Sequence, residues 1–191
     1  MFPFRRIVLP VDYSEACLAI CPYVSEMAQR FSANLHLVHA FEGSTLIYGE
    51  FGWEAAATLP SPDQIRETET ARLTQFAAER FPNLRPSLIV EMGSPAAVIE
   101  KAVKDHMADL IMMPTHGGGM FRRLLLGSVT AKVLHDLSCA LWTSRHAAAV
   151  DQQVVLPYRD ILCAVDLGPD SRSVALSAST IAQAYHAKLS R

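Results

Sequence analysis

Residues 5–35 recur 154 positions downstream without a gap, and this repetition decides how the rest of the chain divides. RRIVLPVD (Arg5–Asp12) aligns with RDILCAVD (Arg159–Asp166). Ile7, Val11, Asp12, Ser25, Ala28, Gln29, Ala33 and Leu35 return as Ile161, Val165, Asp166, Ser179, Ala182, Gln183, Ala187 and Leu189. These identities comprise a strand core, the acid at its end and positions along a helix, so chance is a poor explanation. Arg191 corresponds to Leu37, inside the second strand of the first copy. The expected organisation is a complete domain over 1–146, a linker over 147–157, and over 158–191 the first strand and helix of a second, incomplete domain. A strand and one helix cannot bury a core alone. The chain therefore reads as a truncated tandem protein; the alternative is a tail packed on the first unit or on a partner chain.

Within the first copy, short apolar runs alternate with helical patterns. IVLPV (Ile7–Val11) reads as a strand buried on both faces and ends at Asp12. Ser14 can cap the next helix, whose apolar positions Cys17, Ile20, Cys21, Val24, Met27, Ala28 and Phe31 fall at three- and four-residue steps. Asn34–Phe41 is a second strand. The long connection Glu42–Leu59 follows, with Tyr48, Phe51 and Trp53 as a lid, an interaction patch or a loop packed on its own domain. Ser61-Pro62-Asp63-Gln64 supplies an N-cap, a proline at the first helical position and a capping-box glutamine for a helix to about Phe81. Ser87–Met92, Asp109–Pro114 and Cys139–Ser144 are further strands, and helices open at Ser94-Pro95 and Ser128. This alternation predicts an α/β fold, a five-stranded parallel sheet with helices on both faces. Ligands of such sheets sit beyond the C-terminal strand ends, where strand order reverses. The strand ends to inspect are Asp12, Ala40 and the segment after Met113.

The composition narrows the function classes. Half the residues are hydrophobic and 19% are charged, enough for a sizeable core. A net charge of −2 lacks the basic excess that supports nucleic-acid binding. No apolar run is long enough to span a bilayer, and the N-terminus lacks a secretory pattern, so the expectation is a soluble, cytoplasmic protein with no membrane partner. The four cysteines are too scattered for a disulfide framework, and Cys17 and Cys21 read as buried core thiols. His36 and His39 have no third ligand nearby, so no metal site is expected.

The chemistry concentrates after the fourth strand, in Pro114-Thr115-His116-Gly117-Gly118-Gly119 and on to Gly127-Ser128. Consecutive glycines let the main chain approach a ligand closely. A helix starting at Ser128 offers unpaired N–H groups and the positive end of its dipole to an anion. A phosphate cradle and a plain loop with an ordinary helix start both fit these residues. Neither the P-loop pattern nor a dinucleotide G-x-G-x-x-G is present, and no nucleophile elbow occurs.

Pro114, Gly117, nine residues (118–126), then Gly127-Ser128 resemble the G-x-x-G, nine residues, G-[ST] motif of nucleotide-binding universal stress proteins. The likeness extends to PVDYSE (Pro10–Glu15), ADLIMMPTHG (Ala108–Gly117) and LLLGSVTAKVLH (Leu124–His135), and spans essentially residues 4–146. It implies an adenine nucleotide alpha hydrolase-like, Rossmann-like sheet with ATP in the switch-point crevice. Asp12 and Ala40 are implied to surround the adenine or ribose. Gly117, Gly127, Ser128 and Val129 are implied to offer main-chain N–H groups and one hydroxyl to the phosphates. Pro10, Val11, Met113 and Pro114 complete the implied set, with Mg²⁺ held mainly by the phosphates. Pro114 departs from the motif, because proline has no N–H and fixes φ where the family has glycine. The expected function is an ATP-binding regulatory domain of a stress response with slow hydrolysis at most; the alternative is a nucleotide-free interaction module in which Pro114 marks a disabled site. An enzyme of a related adenosine-nucleotide class is a third reading. Arg122, Arg123 and His116 are secondary candidates for ligand contact. The fifth strand, Cys139–Ser144, is expected at a dimer edge, making a homodimer that also engages an unidentified protein partner.

Overall fold

The structure, a computed structural model, describes residues 4–41, 60–115, 127–137, 139–144, 158–166 and 168–190. The chain forms two compact units, Arg5–Val150 and a smaller one comprising Met1–Phe4 with Asp151–Arg191.

The larger unit is one parallel sheet, β1 (Arg6–Pro10), β2 (Asn34–Phe41), β3 (Ser87–Met92), β4 (Leu110–Pro114) and β5 (Ala140–Ser144), in the order β3-β2-β1-β4-β5. The helices are α1 (Glu15–Phe31), α2 (Pro62–Arg80), α3 (Pro95–Asp105) and α4 (Ser128–Asp136). Ile7, Val8 and Leu9 of β1 are fully buried, as a central strand covered on both faces requires. On one face Val8, Val38, Ile111 and Met113 pack against Val98, Ile99, Ala102 and Val103 of α3 and Val133 of α4.

The helix starts follow local chemistry. Ser14 Oγ accepts the Cys17 amide at 3.2 Å, capping α1. Ser61 and Gln64 form the reciprocal capping box expected for α2, with bonds of 2.8 and 3.2 Å. Ser94 precedes α3 but makes no side-chain cap bond. α1 continues through Pro22, whose missing donor falls on an exposed position. Cys17, Ile20, Cys21, Val24, Met27 and Ala28 form its buried face, while Phe31 is half-buried. α2 is anchored differently: Leu73, Phe76 and Ala77 are its buried residues, and the rest of its surface is largely polar.

The smaller unit contains β6 (Asp160–Leu162), α5 (Ser171–Tyr185) and β7 (Lys188–Ser190), with β6 and β7 parallel. The sequence repeat is a repeat of structure. Helix α1 ends on Ser32 at φ +49° and α5 on His186 at φ +53°, which are repeat equivalents. After each cap the next amide returns to the helix at 2.8 Å, Ala33 to Ala28 and Ala187 to Ala182. Asp12 Oδ1 accepts the amide two residues on, from Ser14, as Asp166 Oδ1 does from Gly168. Burial is not repeated: Leu162 is 75% exposed where Val8 is fully buried.

Candidate functional site

Strands β1 and β4 part company toward their C-terminal ends. They pair at Ile7↔Leu110 and Val8↔Ile111; beyond that, Leu9 and Pro10 pair with β2, and Met112, Met113 and Pro114 pair with β5. The chain winds from β1 outward to β3, then crosses back to β4 on the other side of β1, so this divergence lies at the switch point. Asp12 stands at one rim and Pro114 at the other.

On the β1 side, the Val11 amide extends the ladder by donating to the Val38 carbonyl at 2.8 Å. The exposed Asp12 carboxylate accepts from the Ser14 amide at 3.0 Å and the Ser14 hydroxyl at 2.7 Å, which orients it locally. Tyr13 between them is left-handed at φ +58°. Its ring meets His39 at 4.9 Å and Phe76 at 5.6 Å between centroids, and the Arg72 guanidinium lies 3.9 Å over it. Burial, with Glu69 adding to it, pushes the Tyr13 phenol up to about 12. His39 bridges two elements: Nδ1 lies 2.8 Å from the Val11 carbonyl and Nε2 3.2 Å from Glu69 Oε2 on α2.

On the β4 side, Met113 is buried and Pro114 is half-buried opposite Ser144. The buried Thr130 hydroxyl donates to the Pro114 carbonyl at 3.3 Å, tying α4 to the strand end. Thr115 donates to the Ser144 carbonyl through its amide at 3.4 Å and its hydroxyl at 3.3 Å. The Gly127 amide donates to the Thr115 carbonyl at 2.9 Å. The expectation that this amide faces an anion is thereby revised: the loop's return uses it to close on the strand end. The next three amides, of Ser128, Val129 and Thr130, are the first-turn donors of α4. They have no side-chain cap and no partner among the described residues, and the first turn holds no acid. Ala131 starts the regular helical bonding by donating to the Gly127 carbonyl at 2.8 Å.

Pro10, Val11, Asp12, Ala40, Met113, Pro114, Gly127, Ser128 and Val129 thus all lie at or just beyond the C-terminal ends of β1, β2 and β4 or at the start of α4. Gly117, His116, Arg122 and Arg123, and the aromatics Tyr48, Phe51 and Trp53, fall outside the described residues. Among the described residues no cluster of three or more His, Cys, Asp or Glu could hold a metal. No helix among them is long and apolar enough to cross a membrane. Cys17 and Cys21 are buried as expected; the hydrogen bond with Cys17, and burial, push the Cys21 thiol up. Tyr13, Glu69, Arg72 and Thr130 were not legible as site residues. For His39 the one available signal was its place on the alternation of β2, with Leu35, Leu37 and Phe41.

Comparison with known proteins agrees with this geometry. Residues 3–145 match the profile of the Universal stress protein family. The chain is 31% identical over 136 residues, 71% of its own length and 95% of the relative's, to the universal stress protein in the QAH/OAS sulfhydrylase 3′ region of Thermus aquaticus. Its fold matches a universal stress protein of Archaeoglobus fulgidus with a TM-score of 0.67 at 19% identity, over 96% of this chain and 63% of that one. It also matches a universal stress protein solved in complex with cAMP, with a TM-score of 0.53 at 17% identity, over 75% of this chain and 98% of that one.

Proposed function

Because the chain belongs to the universal stress protein family, we propose that the crevice between β1 and β4 binds ATP and that the domain works as a regulatory module rather than an enzyme. The observation that carries this reading is the open first turn of α4. Three adjacent amides, Ser128, Val129 and Thr130, have no acceptor among the described residues and no acid in their own turn, and they begin a helix at the switch point. The nucleotide supplies the polyanion these donors lack, and its phosphates hold Mg²⁺. The Ser128 hydroxyl adds a donor, while Asp12 and the end of β2 at Ala40 receive the ribose or base. A fold relative that holds cAMP supports nucleotide chemistry on this scaffold. On this reading turnover is slow or absent.

Two observations favour a second reading, a nucleotide-free interaction module. Pro114 removes one donor at the rim, and Thr115 occupies the Gly127 amide. In both readings β5, an edge strand of the sheet, pairs with a second copy to make a homodimer. Isothermal titration with ATP and Mg²⁺ decides between them. Saturable heat with a matching rise in Tm supports the ATP site. No heat and no thermal shift at millimolar ligand leaves the interaction module.

A further inference from the structure

We propose that the smaller unit is a docking surface for a helix–strand segment of another polypeptide, which adds its strand parallel to the open edge of β6 and lays its helix over Leu162. The sequence repeat supplies the template, because the larger unit shows what covers each equivalent residue. β1 pairs with β2 on one side and with β4 on the other, at Ile7↔Leu110 and Val8↔Ile111. β6 pairs with β7 alone, so the edge equivalent to the one β4 occupies has no strand among the described residues. Backbone donors and acceptors along such an edge take up an added strand. The outer edge of β7 is more polar, with Lys188 and Ser190 flanking Leu189.

The side chains around the β6 edge agree. One face of the smaller unit is closed by its own helix: Cys163, just after β6, and Ala182 and Tyr185 of α5 are buried. Leu162 alternates to the other face and is 75% exposed, whereas its equivalent Val8 is fully buried with Val98, Ile99, Ala102 and Val103 of α3. Val174 of α5 is 44% exposed, whereas its equivalent Ile20 is fully buried on α1, the helix that packs against β4. The bare positions are those that α3 and β4 cover in the larger unit, and these two elements are consecutive in sequence. Exposed apolar side chains grouped at an open strand edge mark an interaction site. The template also gives the occupant's chemistry: a helix with one apolar face, a short turn and an apolar strand, as in residues 95–114. In a second copy of this chain that segment is already buried in its own sheet, so the occupant comes from a different chain.

The test uses the full ¹⁵N-labelled chain and a synthetic peptide of residues 95–114 with added terminal lysines; it needs no nucleotide and is independent of the ATP reading. The proposal expects saturable NMR shifts at the amides of Ile161, Leu162 and Val174 below about 1 mM peptide, with the larger unit unmoved. In the register of the template, Ile111 of the peptide lies beside Leu162. Ile111→Asp in the peptide and Leu162→Glu in the chain should therefore each weaken binding by about tenfold or more, by setting a charge against an apolar surface. Leu162 is exposed, so Leu162→Glu should leave the Tm unchanged, and the peptide variant makes the same test on the unaltered chain. Absence of saturation, shifts confined to the larger unit, or equal binding of the Ile111→Asp peptide overturns the proposal. So does concentration-dependent self-association, read by sedimentation, that Leu162→Glu abolishes, because the occupant is then a second copy.

Discussion

An acid placed at Ser128 separates ligand binding from stability, because the account predicts opposite signs for the two. Ser128 is the first residue of α4, exposed, in a first turn with no acid and no side-chain cap. Without ligand, Ser128→Asp meets the positive end of the helix dipole and stabilises the fold by about 0.3–1 kcal/mol. That corresponds to a Tm rise of about 1–4 °C for a chain of this size. With ATP, the new carboxylate lies about 5 Å from a phosphate hydrogen-bonded to the first-turn amides. One unit of repulsion at that distance costs about 0.8 kcal/mol at water's dielectric and about 3 kcal/mol at the effective value near a protein surface. Affinity should therefore fall by about 4- to 150-fold. Calorimetric titration and a melting scan on the same samples read both quantities, and added salt should shrink the affinity loss. A raised Tm with unchanged ATP affinity would refute the placement of phosphates at this helix.

Other expectations follow from the same geometry. Pro114→Gly restores a main-chain donor at the rim, so ATP affinity should rise about twofold to tenfold while stability drops by roughly 0.5–1 kcal/mol; unchanged affinity in the titration would show that this amide does not face the ligand. Leu73→Ala removes the fully buried anchor of a helix with few others, and urea unfolding should show a loss of about 2–5 kcal/mol with an unchanged m-value. Cys17 and Cys21, buried in α1, should resist a thiol reagent in native buffer and react in urea, read by intact mass; rapid native labelling would mean that α1 opens readily.

Much of the fold was legible because its signals are local. The Ser61-Pro62-Asp63-Gln64 start of α2 is a matter of four adjacent residues, and both capping-box bonds form. The 3.6-residue spacing of Cys17, Ile20, Cys21, Val24, Met27 and Ala28 likewise marks the buried face of α1. The 154-residue repeat survives as backbone geometry down to the left-handed caps at Ser32 and His186.

What was not legible depends on contacts between distant segments. Tyr13 carries no local sign of a left-handed turn, since its conformation is enforced by His39 on β2 and by Arg72 and Phe76 on α2. The Gly127 amide looks free in the sequence and is occupied because the chain returns to Thr115. The parting of β1 from β4 after Val8, which opens the crevice, is a property of register rather than of either strand's residues. Similarly, the proline at 114 could be weighed for its lost donor, whereas its carbonyl's bond from Thr130 emerges only once α4 is in place.

The most direct test is an NMR titration of the ¹⁵N-labelled chain with ATP and Mg²⁺, following each backbone amide. The account predicts that Ser128, Val129 and Thr130 shift most, together with Asp12 across the crevice. Shifts that leave these four unmoved while ATP binds elsewhere would contradict it.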